Sequence, residues 1–267
     1  GGGGTAVGGS FTVAAGTALQ FGGGVYNADA ASSFSGAGTL LFWSGAANLA
    51  GPYNVVGATT ATGGTANLTG PVVAAGVVSA SSGMLNLGSS SLSIPSLSIT
   101  VSGTLTGTGT VTVSGATVWS GGYMTGTGTT IAQGGLTLGG NTASTNYSMY
   151  LQGGRTLRNS GAASFLISPS SGNVSTLTFY NNSTLVNDAG ATFSLMGDVG
   201  FNNVGGGTVS NAGTLVKSAG TGTANVVAAF DDTGVVQVSS GTLNLGGGGT
   251  AAGGAFTVAA GATLQFS

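Results

Sequence analysis

The sequence contains no cysteine, no histidine and no glutamate, and these absences remove whole classes of site. Zinc, iron–sulfur and haem centres normally take cysteine or histidine ligands, so none of them is expected. Ser–His–Asp and Cys–His nucleophile systems need the same residues and are also excluded. We therefore expect no catalytic residue of these kinds, no cofactor and no metal site.

Charge is nearly absent as well, because charged residues make up 3% of the chain against about one quarter in a typical globular protein. A nucleic-acid footprint needs many lysines and arginines facing phosphates, so we expect no nucleic-acid partner. A polybasic membrane surface is missing for the same reason. The eight charged residues are Arg155, Arg158, Lys217, Asp29, Asp188, Asp198, Asp231 and Asp232.

Long apolar runs are also missing. The stretch GPVVAAGVVSA at residues 70–80 is short and interrupted by glycine, whereas a membrane-spanning helix needs about 20 apolar residues. Disorder is opposed by the 41% of hydrophobic residues, which are arranged with a period of two. The chain begins GGGGTAVGG without an initiator methionine, so we expect an excerpt of a longer protein or a processed product.

What the sequence does contain is one phrase, repeated many times. Two alternating stretches flank a corner of small residues in TVAAGTALQF at 12–21, TVTVSGATVW at 110–119, TTIAQGGLTL at 129–138 and VQVSSGTLNL at 236–245. Alternating Thr, Val and Leu favour strands, and frequent glycine excludes stable helices. Because no Asn-Gly or Asp-Gly dipeptide offers a tight hairpin turn, the corners are interpreted as bends that carry the chain onward.

This pattern predicts an all-β fold, a single elongated parallel β-solenoid with about 20 residues per coil. The related phrases recur at spacings of about 19 to 29 residues, which indicates coils with variable loops. At about 4.8 Å per coil, the chain would make about 13 coils and a rod about 60 Å long. Small apolar residues would fill the thin interior, with Phe, Trp and Met where the coils widen.

Several corner residues are expected to have special conformations. We predict positive φ angles for corner glycines, which tolerate the left-handed region at little cost. We expect three asparagines to lie in the left-handed region or to close Asx turns, and we interpret the related triplets YNN at 180–182, FNN at 201–203 and FDD at 230–232 as turns. The glycines are Gly16, Gly103, Gly115 and Gly241, and the asparagines are Asn159, Asn187 and Asn211.

The beginning of the chain is restated near its end. Residues 1–21 and 246–266 are identical at 17 of 21 positions, at an offset of 245 residues. We therefore interpret residues 1–267 as one continuous solenoid slightly longer than one 245-residue tandem repeat. The restated segment should adopt the same coil conformation, displaced along the axis, with its open strand edges covered by more of the same.

The stretches GTLTGTGTVTVSGATVWSGGYMTGTGTTIAQGGLTLGG at 103–140 and GTLNLGGGGTAAGGAFTVAAGATLQF at 241–266 carry a resemblance to a known kind of protein. The chain resembles bacterial repeat-rich β-solenoid surface proteins, called β-strand-repeat proteins, which are similar in style to autotransporter passengers and filamentous-haemagglutinin-type adhesins. The resemblance implies an extracellular, cell-attached β-solenoid, usually right-handed, with an adhesive or matrix-forming role. It carries over no functional residues, because the family pattern defines coils and corners.

Chemical roles were weighed for the few acids and cations. Asp231 and Asp232 form the one adjacent acidic pair, but two carboxylates of a glycosidase must face each other across the sugar, while neighbours on a strand point to opposite faces. The acids are too few for a ladder of calcium sites, although one incidental site near Asp231 stays open. A Ser–Lys pair would use Lys217, which is instead interpreted as an exposed charge at a corner.

Binding roles were weighed in the same way. The TGTGT runs at 106–110 and 125–129 resemble ice-binding arrays, but glycine interrupts them, so strands with exposed Thr hydroxyls are preferred. Trp43, Trp119 and the tyrosines are interpreted as core or coil-edge residues because they do not cluster in sequence. Five Asn-x-Ser/Thr sequons are attributed to composition; they begin at Asn67, Asn146, Asn173, Asn181 and Asn182.

The sequence thus predicts a structural protein of the cell exterior or surface: a fibre or stalk that stacks end to end with itself. It is not expected to be an enzyme. The alternative is an adhesin that binds a glycan or another cell surface. An exposed aromatic groove would favour the adhesin, and a uniform Thr, Ser and Asn surface would favour the scaffold.

Overall fold

The computed structural model describes residues 2–140, 148–167 and 175–267. These residues form 36 short β-strands and no helix, which confirms the all-β prediction. The strands are three to six residues long and follow one another through bends, as the alternation of β-branched residues and glycine corners predicts.

The strands, in chain order, have the following bounds. The first twelve are β1 Gly4–Ala6, β2 Ser10–Val13, β3 Ala18–Phe21, β4 Val25–Ala28, β5 Ser33–Gly36, β6 Thr39–Phe42, β7 Ala46–Leu49, β8 Tyr53–Val55, β9 Ala58–Ala61, β10 Thr65–Leu68, β11 Val72–Ala74 and β12 Val77–Ala80. The next twelve are β13 Met84–Asn86, β14 Leu92–Ile94, β15 Leu97–Ile99, β16 Thr104–Thr106, β17 Thr110–Val113, β18 Thr117–Trp119, β19 Gly122–Met124, β20 Thr129–Ala132, β21 Leu136–Gly139, β22 Met149–Leu151, β23 Thr156–Asn159 and β24 Ala162–Leu166. The last twelve are β25 Thr176–Phe179, β26 Thr184–Asn187, β27 Thr192–Met196, β28 Gly200–Asn203, β29 Thr208–Asn211, β30 Thr214–Ala219, β31 Thr223–Val226, β32 Ala229–Asp232, β33 Val235–Val238, β34 Thr242–Leu245, β35 Ala255–Val258 and β36 Thr263–Phe266.

The strands stack into a single parallel β-solenoid with three faces. Up to β34, every third strand lies on the same face: face 1 starts at β1, face 2 at β2 and face 3 at β3. Each strand pairs in parallel with the strand three positions later, so the pairing joins consecutive coils. The solenoid makes about 12 turns of about 21 residues, close to the 13 coils of about 20 residues that the repeats predict.

Face 2 is interrupted once. Its ladder stops at β11 and resumes at β14. Between these strands the backbone N–H of Val72 donates to the Ser90 hydroxyl at 3.0 Å in place of a strand carbonyl. On face 1, β28 and β31 are joined only at Phe201 and Val226, so the ladder is thin there as well.

Coil length varies along the axis, as the irregular repeat spacing predicts. The Cα partners Ala46 and Thr65 are 19 residues apart, whereas Tyr150 and Thr178 are 28 residues apart. A strand needs only one partner per coil, so extra residues are taken up in the corners while the ladders stay in register.

The core is a single column of inward-facing apolar side chains. On face 1, the buried residues Leu85, Leu105, Met124, Leu151 and Phe179 lie one above another in successive coils. Because parallel stacking places equivalent residues about 4.8 Å apart, like side chains contact like side chains along the axis.

The interior widens where the coils are longest. Smaller residues fill it at Ala47 and Ala66. The buried rings of Phe165, Phe193 and Phe201 meet farther along, with centroid distances of 5.6 and 5.7 Å to Phe201. This agrees with the expectation that bulky residues occupy the wider coils.

The corner glycines follow the prediction only in part. Gly16 and Gly241 have positive φ angles of 77° and 62°, whereas Gly103 and Gly115 do not. At the corner before Gly103, the left-handed residue is Val101, with a φ of 58°. Asn159, Asn187 and Asn211 are not left-handed either; each ends a strand.

Two of the three predicted triplet turns are strands. FNN lies at the end of β28 on face 1 and FDD at the end of β32 on face 2. In YNN, by contrast, Asn181 and Asn182 have φ angles of 54° and 57° and form a turn. The triplets therefore share composition without sharing a place in the coil, and the predicted equivalence of FDD and FNN is wrong.

Candidate functional site

The adjacent acids Asp231 and Asp232 point to opposite sides of β32. The half-buried Asp231 accepts hydrogen bonds from the Thr250 backbone N–H at 3.0 Å and from its hydroxyl at 2.8 Å. Asp232 is buried in the interior, where its Oδ1 accepts from Asn211 Nδ2 at 2.7 Å. Both carboxylates serve the next or the preceding coil, and the strand backbone separates them.

Asp232 is the last member of a buried amide ladder. In four successive coils of face 2, Asn159, Asn187, Asn211 and Asp232 occupy the same register position. Each Asn Nδ2 donates to the next member, at 2.9, 2.7 and 2.7 Å. Buried amides are costly unless they are bonded, and here each one bonds across the coil boundary.

Each asparagine of the ladder also fastens the corner that follows it. Asn211 Nδ2 donates to the carbonyls of Gly213 at 3.3 Å and Val235 at 3.2 Å, and Asn159 and Asn187 make the matching bonds to Thr192 and Thr214. The Asx-turn half of the prediction therefore describes the bond to residue i+2. The axial ladder was missed, because sequence alone does not show which residues meet between coils.

Lys217 is buried, so its interpretation as an exposed corner charge is wrong. Its side chain is 0% exposed, and its Nζ donates to Asp198 Oδ1 at 2.9 Å and to the Ala219 carbonyl at 2.8 Å. The carbonyls of Gly197 and Gly220 lie at 3.4 Å. An ammonium surrounded by these acceptors is held as a charge, and it closes the corner instead of activating a nucleophile.

Arg155 is buried beneath the Thr-Gly corners without a carboxylate partner among the described residues. Its guanidinium donates to Thr130 Oγ1 at 2.8 and 3.2 Å, to the Thr125 carbonyl at 2.9 Å and to the Gly107 carbonyl at 3.3 Å. Burial lowers the pKa of Arg155 to about 10, so the group keeps its charge at neutral pH. Arg155 thus joins its own coil to the two coils before it.

The TGTGT runs form corners and not a flat array. Residues 106–110 connect β16 to β17 and residues 125–129 connect β19 to β20, each passing from face 1 to face 2. A single column of half-buried threonines does run up face 2, at Thr110, Thr129, Thr156, Thr184 and Thr208. The neighbouring outward column is mixed, with Ile131, Arg158 and Val186 in successive coils, so the paired Thr-x-Thr lattice is missing from these coils.

Three tyrosines cluster on the outside of face 1, although they are far apart in sequence. Tyr123 and Tyr150 stack with a centroid distance of 4.9 Å and an interplanar angle of 17°, and Tyr150 meets Tyr180 at 6.0 Å. The rings lie against one another along the axis, so their faces are largely covered and their edges point outward. The expectation that the tyrosines do not cluster is wrong; their spacing of one long coil was the available signal.

The tryptophans differ from each other. Trp119 is buried, and its Nε1–H donates to the Gly121 carbonyl at 3.0 Å. Trp43 is 63% exposed at a corner. Of the sequons, Asn67 lies in a strand and Asn181 and Asn182 lie in a turn, while Asn146 and Asn173 fall outside the described residues.

Asparagines also form a ladder on the outer side of face 1. Asn48 Nδ2 donates to Asn27 Oδ1 and Asn67 Nδ2 to Asn48 Oδ1, both at 2.8 Å. Farther along, Asn244 Nδ2 donates to Asn225 Oδ1 at 3.1 Å. These side chains bind the coil before them, so the polar surface is used within the chain.

The main apolar cavity lies against the last coil. It has a volume of about 400 Å³ and is lined by residues that include Phe230, Leu245, Phe256 and Phe266. A smaller cavity of about 270 Å³ lies against the first coil beside Phe11. A third, of about 260 Å³, lies at the thin part of face 1 and is lined in part by Asp198 and Asn225.

Two kinds of feature are absent from the residues that the structure describes. No three acidic, cysteine or histidine side chains gather in a way that could hold a metal ion. No helix there has the length and apolar character needed to cross a membrane.

Comparison of the chain with known protein families, with curated proteins and with solved structures found no match. The fold and its side-chain geometry are therefore the basis for any functional argument.

Proposed function

We propose that this chain is a structural segment of an extracellular fibre or cell-surface stalk, built from tandem β-solenoid repeats that stack end to end. Its mechanical role is to keep coils together along one axis. The proposal includes the resemblance to repeat-rich bacterial surface proteins and the interpretation that the chain is not an enzyme.

One observation carries the proposal: all eight charged side chains of the sequence lie among the described residues, and each bonds to a residue of a neighbouring coil. Asp29 accepts from Gly8 N–H at 3.1 Å, and Arg158 pairs with Asp188 across 2.6 Å. The other five are the buried or half-buried groups described above. In an enzyme or a charged binding site, some of these groups would point at a ligand; here they hold the coil stack.

The environment of these charges supports the same role. The Ser32 hydroxyl and the Gly8 N–H hold the pKa of Asp29 below its ordinary value. Few charges are left to repel neighbouring rods, so lateral contact between solenoids is favoured. Self-association, end to end and side by side, is the partner that this surface chemistry fits.

The test is to image the native assembly. Antibodies raised against the purified chain should label filaments or stalks outside intact cells of the source organism. Electron diffraction or cryomicroscopy of those filaments should show a meridional spacing of about 4.8 Å, because the strands lie across the axis. Labelling confined to the cell interior, or to particles without this spacing, would contradict the proposal.

A second candidate, glycan adhesion, is favoured by the exposed Trp43 and by the half-exposed tyrosine column. Sugars stack on ring faces, whereas Tyr123 and Tyr150 cover each other's faces, which leaves Trp43 as the better platform. A glycan array read by Trp43 fluorescence, with Trp43→Ala as the control, would test this candidate.

A further inference from the structure

The two restated segments have the same local structure. Strands β2 and β35 begin and end at equivalent positions, and so do β3 and β36. The corner between them is also the same: Gly16 and Gly261 have φ angles of 77° and 79°. In both corners an N–H donates to a carbonyl three residues earlier at 3.1 Å, from Thr17 and from Ala262.

The same segment nevertheless lies on different faces in its two occurrences. Strand β2 is on face 2 and β3 on face 3, whereas β35 is on face 3 and β36 on face 1. Ala6 belongs to face 1, and its counterpart Ala251 bridges to Asp232 on face 2. Every part of the segment has moved one face forward, so the shift is a rotation as well as a displacement.

The size of this step can be counted along the strands. Ala251 lies 34 strand positions after β1, and three positions make a coil, so the repeat advances by 11 coils and one face. At about 4.8 Å per coil, this is a rise of about 54 Å. The corners are alike at all three faces, and for that reason the segment fits whichever face the preceding coil offers.

In its first occurrence the segment is covered by the next coil. Phe11 stacks on Phe34 with a centroid distance of 4.9 Å and an angle of 5°. Phe21 stacks on Phe42 at 5.2 Å and 6° and also meets Tyr26 at 5.2 Å. Residues 22–42 therefore form a fitted partner for residues 1–21.

In its second occurrence the rings lack this partner. Phe256 is 38% exposed and Phe266 is 65% exposed, and the two meet edge to face at 5.8 Å. They line the apolar cavity of about 400 Å³. The identity of the segments shows which surface would fill it.

We propose that the coil formed by residues 246–266 is the seat for residues 22–42 of a second copy that follows in tandem, rotated by one face. Phe34 of that copy stacks on Phe256, and its Phe42 stacks on Phe266. A separate copy would first have to displace its own residues 1–21 from the same surface, whereas a copy joined in tandem meets no competitor. This inference rests on the proposed end-to-end stacking.

The rotation has a consequence for a fibre of such repeats. Each copy presents its faces one step around the axis from the copy before it, and the pattern returns after three copies. The tyrosine column and the exposed asparagine ladder would thus appear in turn on all three sides. A fibre of this kind offers equivalent lateral contacts in three directions.

The test uses a doubled chain in which residues 1–266 are followed directly by residues 22–267 of a second copy. Thr12 and Ser35 are outward-facing Cα partners with their hydroxyl oxygens 3.4 Å apart, and Thr257 is the counterpart of Thr12. One variant carries Thr257→Cys with Ser35→Cys of the second copy. The matched control carries Thr12→Cys with Ser35→Cys of the first copy, in a chain with no other thiol.

If the inference is correct, the junction disulfide forms to within about twofold of the control, because adjacent parallel strands satisfy disulfide geometry. Mixing two 1–267 chains, one with Thr257→Cys and one with Ser35→Cys, should give at least about tenfold less product, since tethering supplies the effective concentration. Equal yield from the separate chains would overturn the tandem arrangement.

Small-angle scattering of the doubled chain separates the inference from the proposed function. A single rod of about twice the length without the junction disulfide would overturn the seat and its register while end-to-end stacking stands. Two rods that move independently, with the control disulfide present, would overturn both.

Discussion

Asp232 ends the buried amide ladder with one oxygen, Oδ2, that is buried and has no hydrogen-bond partner among the described residues. In the coils before it, the equivalent atom is an asparagine Nδ2 that donates to two carbonyls, as Asn211 does to Gly213 and Val235. By the same register, Oδ2 faces acceptors where a donor belongs. A buried polar atom in this state costs stability.

The substitution Asp232→Asn should therefore stabilise the protein. The new Nδ2 would donate where Oδ2 has no partner, while Oδ1 keeps its bonds from Asn211 and Gly234. We expect the free energy of unfolding in urea to rise by about 1 kcal/mol. The matched control, Asp231→Asn, changes a satisfied and half-exposed carboxylate, and it should bring no gain; an equal rise in both variants would contradict the ladder argument.

Lys217 and Arg158 separate a buried ion pair from an exposed one. Lys217→Met removes the ammonium from four acceptors in the interior, and we expect a loss of about 2–3 kcal/mol in the free energy of unfolding. Arg158→Gln breaks the exposed pair with Asp188, where the loss should stay below about 1 kcal/mol. Equal losses in urea denaturation would show that Lys217 is not held as described.

At the scale of strands and corners, stacking brings backbones so close that some glycines have no room for a side chain. A Cβ on Gly51 would lie 1.6 Å from the Ser32 carbonyl oxygen of the preceding coil. On Gly22 it would lie 3.4 Å from the Trp43 ring, an ordinary contact. Glycine is therefore required where a corner of one coil meets the corner before it.

Gly51→Ala should force two coils apart. We expect a loss of about 3 kcal/mol in the free energy of unfolding, the upper part of the range for overpacking. Gly22→Ala should change it by less than about 0.5 kcal/mol. If both variants unfold at the same denaturant concentration as the parent chain, the close corner packing is wrong.

The elements were the most predictable part of this protein. Period-two alternation predicted strands such as Thr156–Asn159, and the missing hairpin turns predicted parallel stacking. What meets between coils was not predictable, because coil length varies from 19 to 28 residues between such partners as Ala46 and Thr65 or Tyr150 and Thr178. The amide ladder, the tyrosine column and the one-face rotation all depend on that register.

Buried charge was the other failure, and it has a physical cause. Charged side chains are usually exposed, so Lys217 was assigned to the surface. Its burial is possible because the carbonyls of Gly197, Ala219 and Gly220 converge at one corner with Asp198. This convergence is a property of two stacked corners and is absent from either sequence segment alone.

At the scale of the whole molecule, stability should depend little on ionic strength or on metals. The described faces are joined by backbone ladders and apolar columns, which salt does not screen, and the charges bond to neighbouring coils at short range. The exposed pair of Arg158 and Asp188 is the main contact open to screening.

We therefore expect the melting temperature to change by less than about 4 °C between 0.05 and 1 M NaCl, the effect of losing one surface pair in a domain of this size. Asp188→Asn removes that pair and should remove most of the remaining salt dependence. EDTA should leave the melting curve unchanged, because folding that used a bound metal would be lost with the metal. A fall of many degrees in EDTA would reveal a metal site, and a steep salt dependence that survives in Asp188→Asn would show that charges hold the solenoid in a way these contacts do not explain.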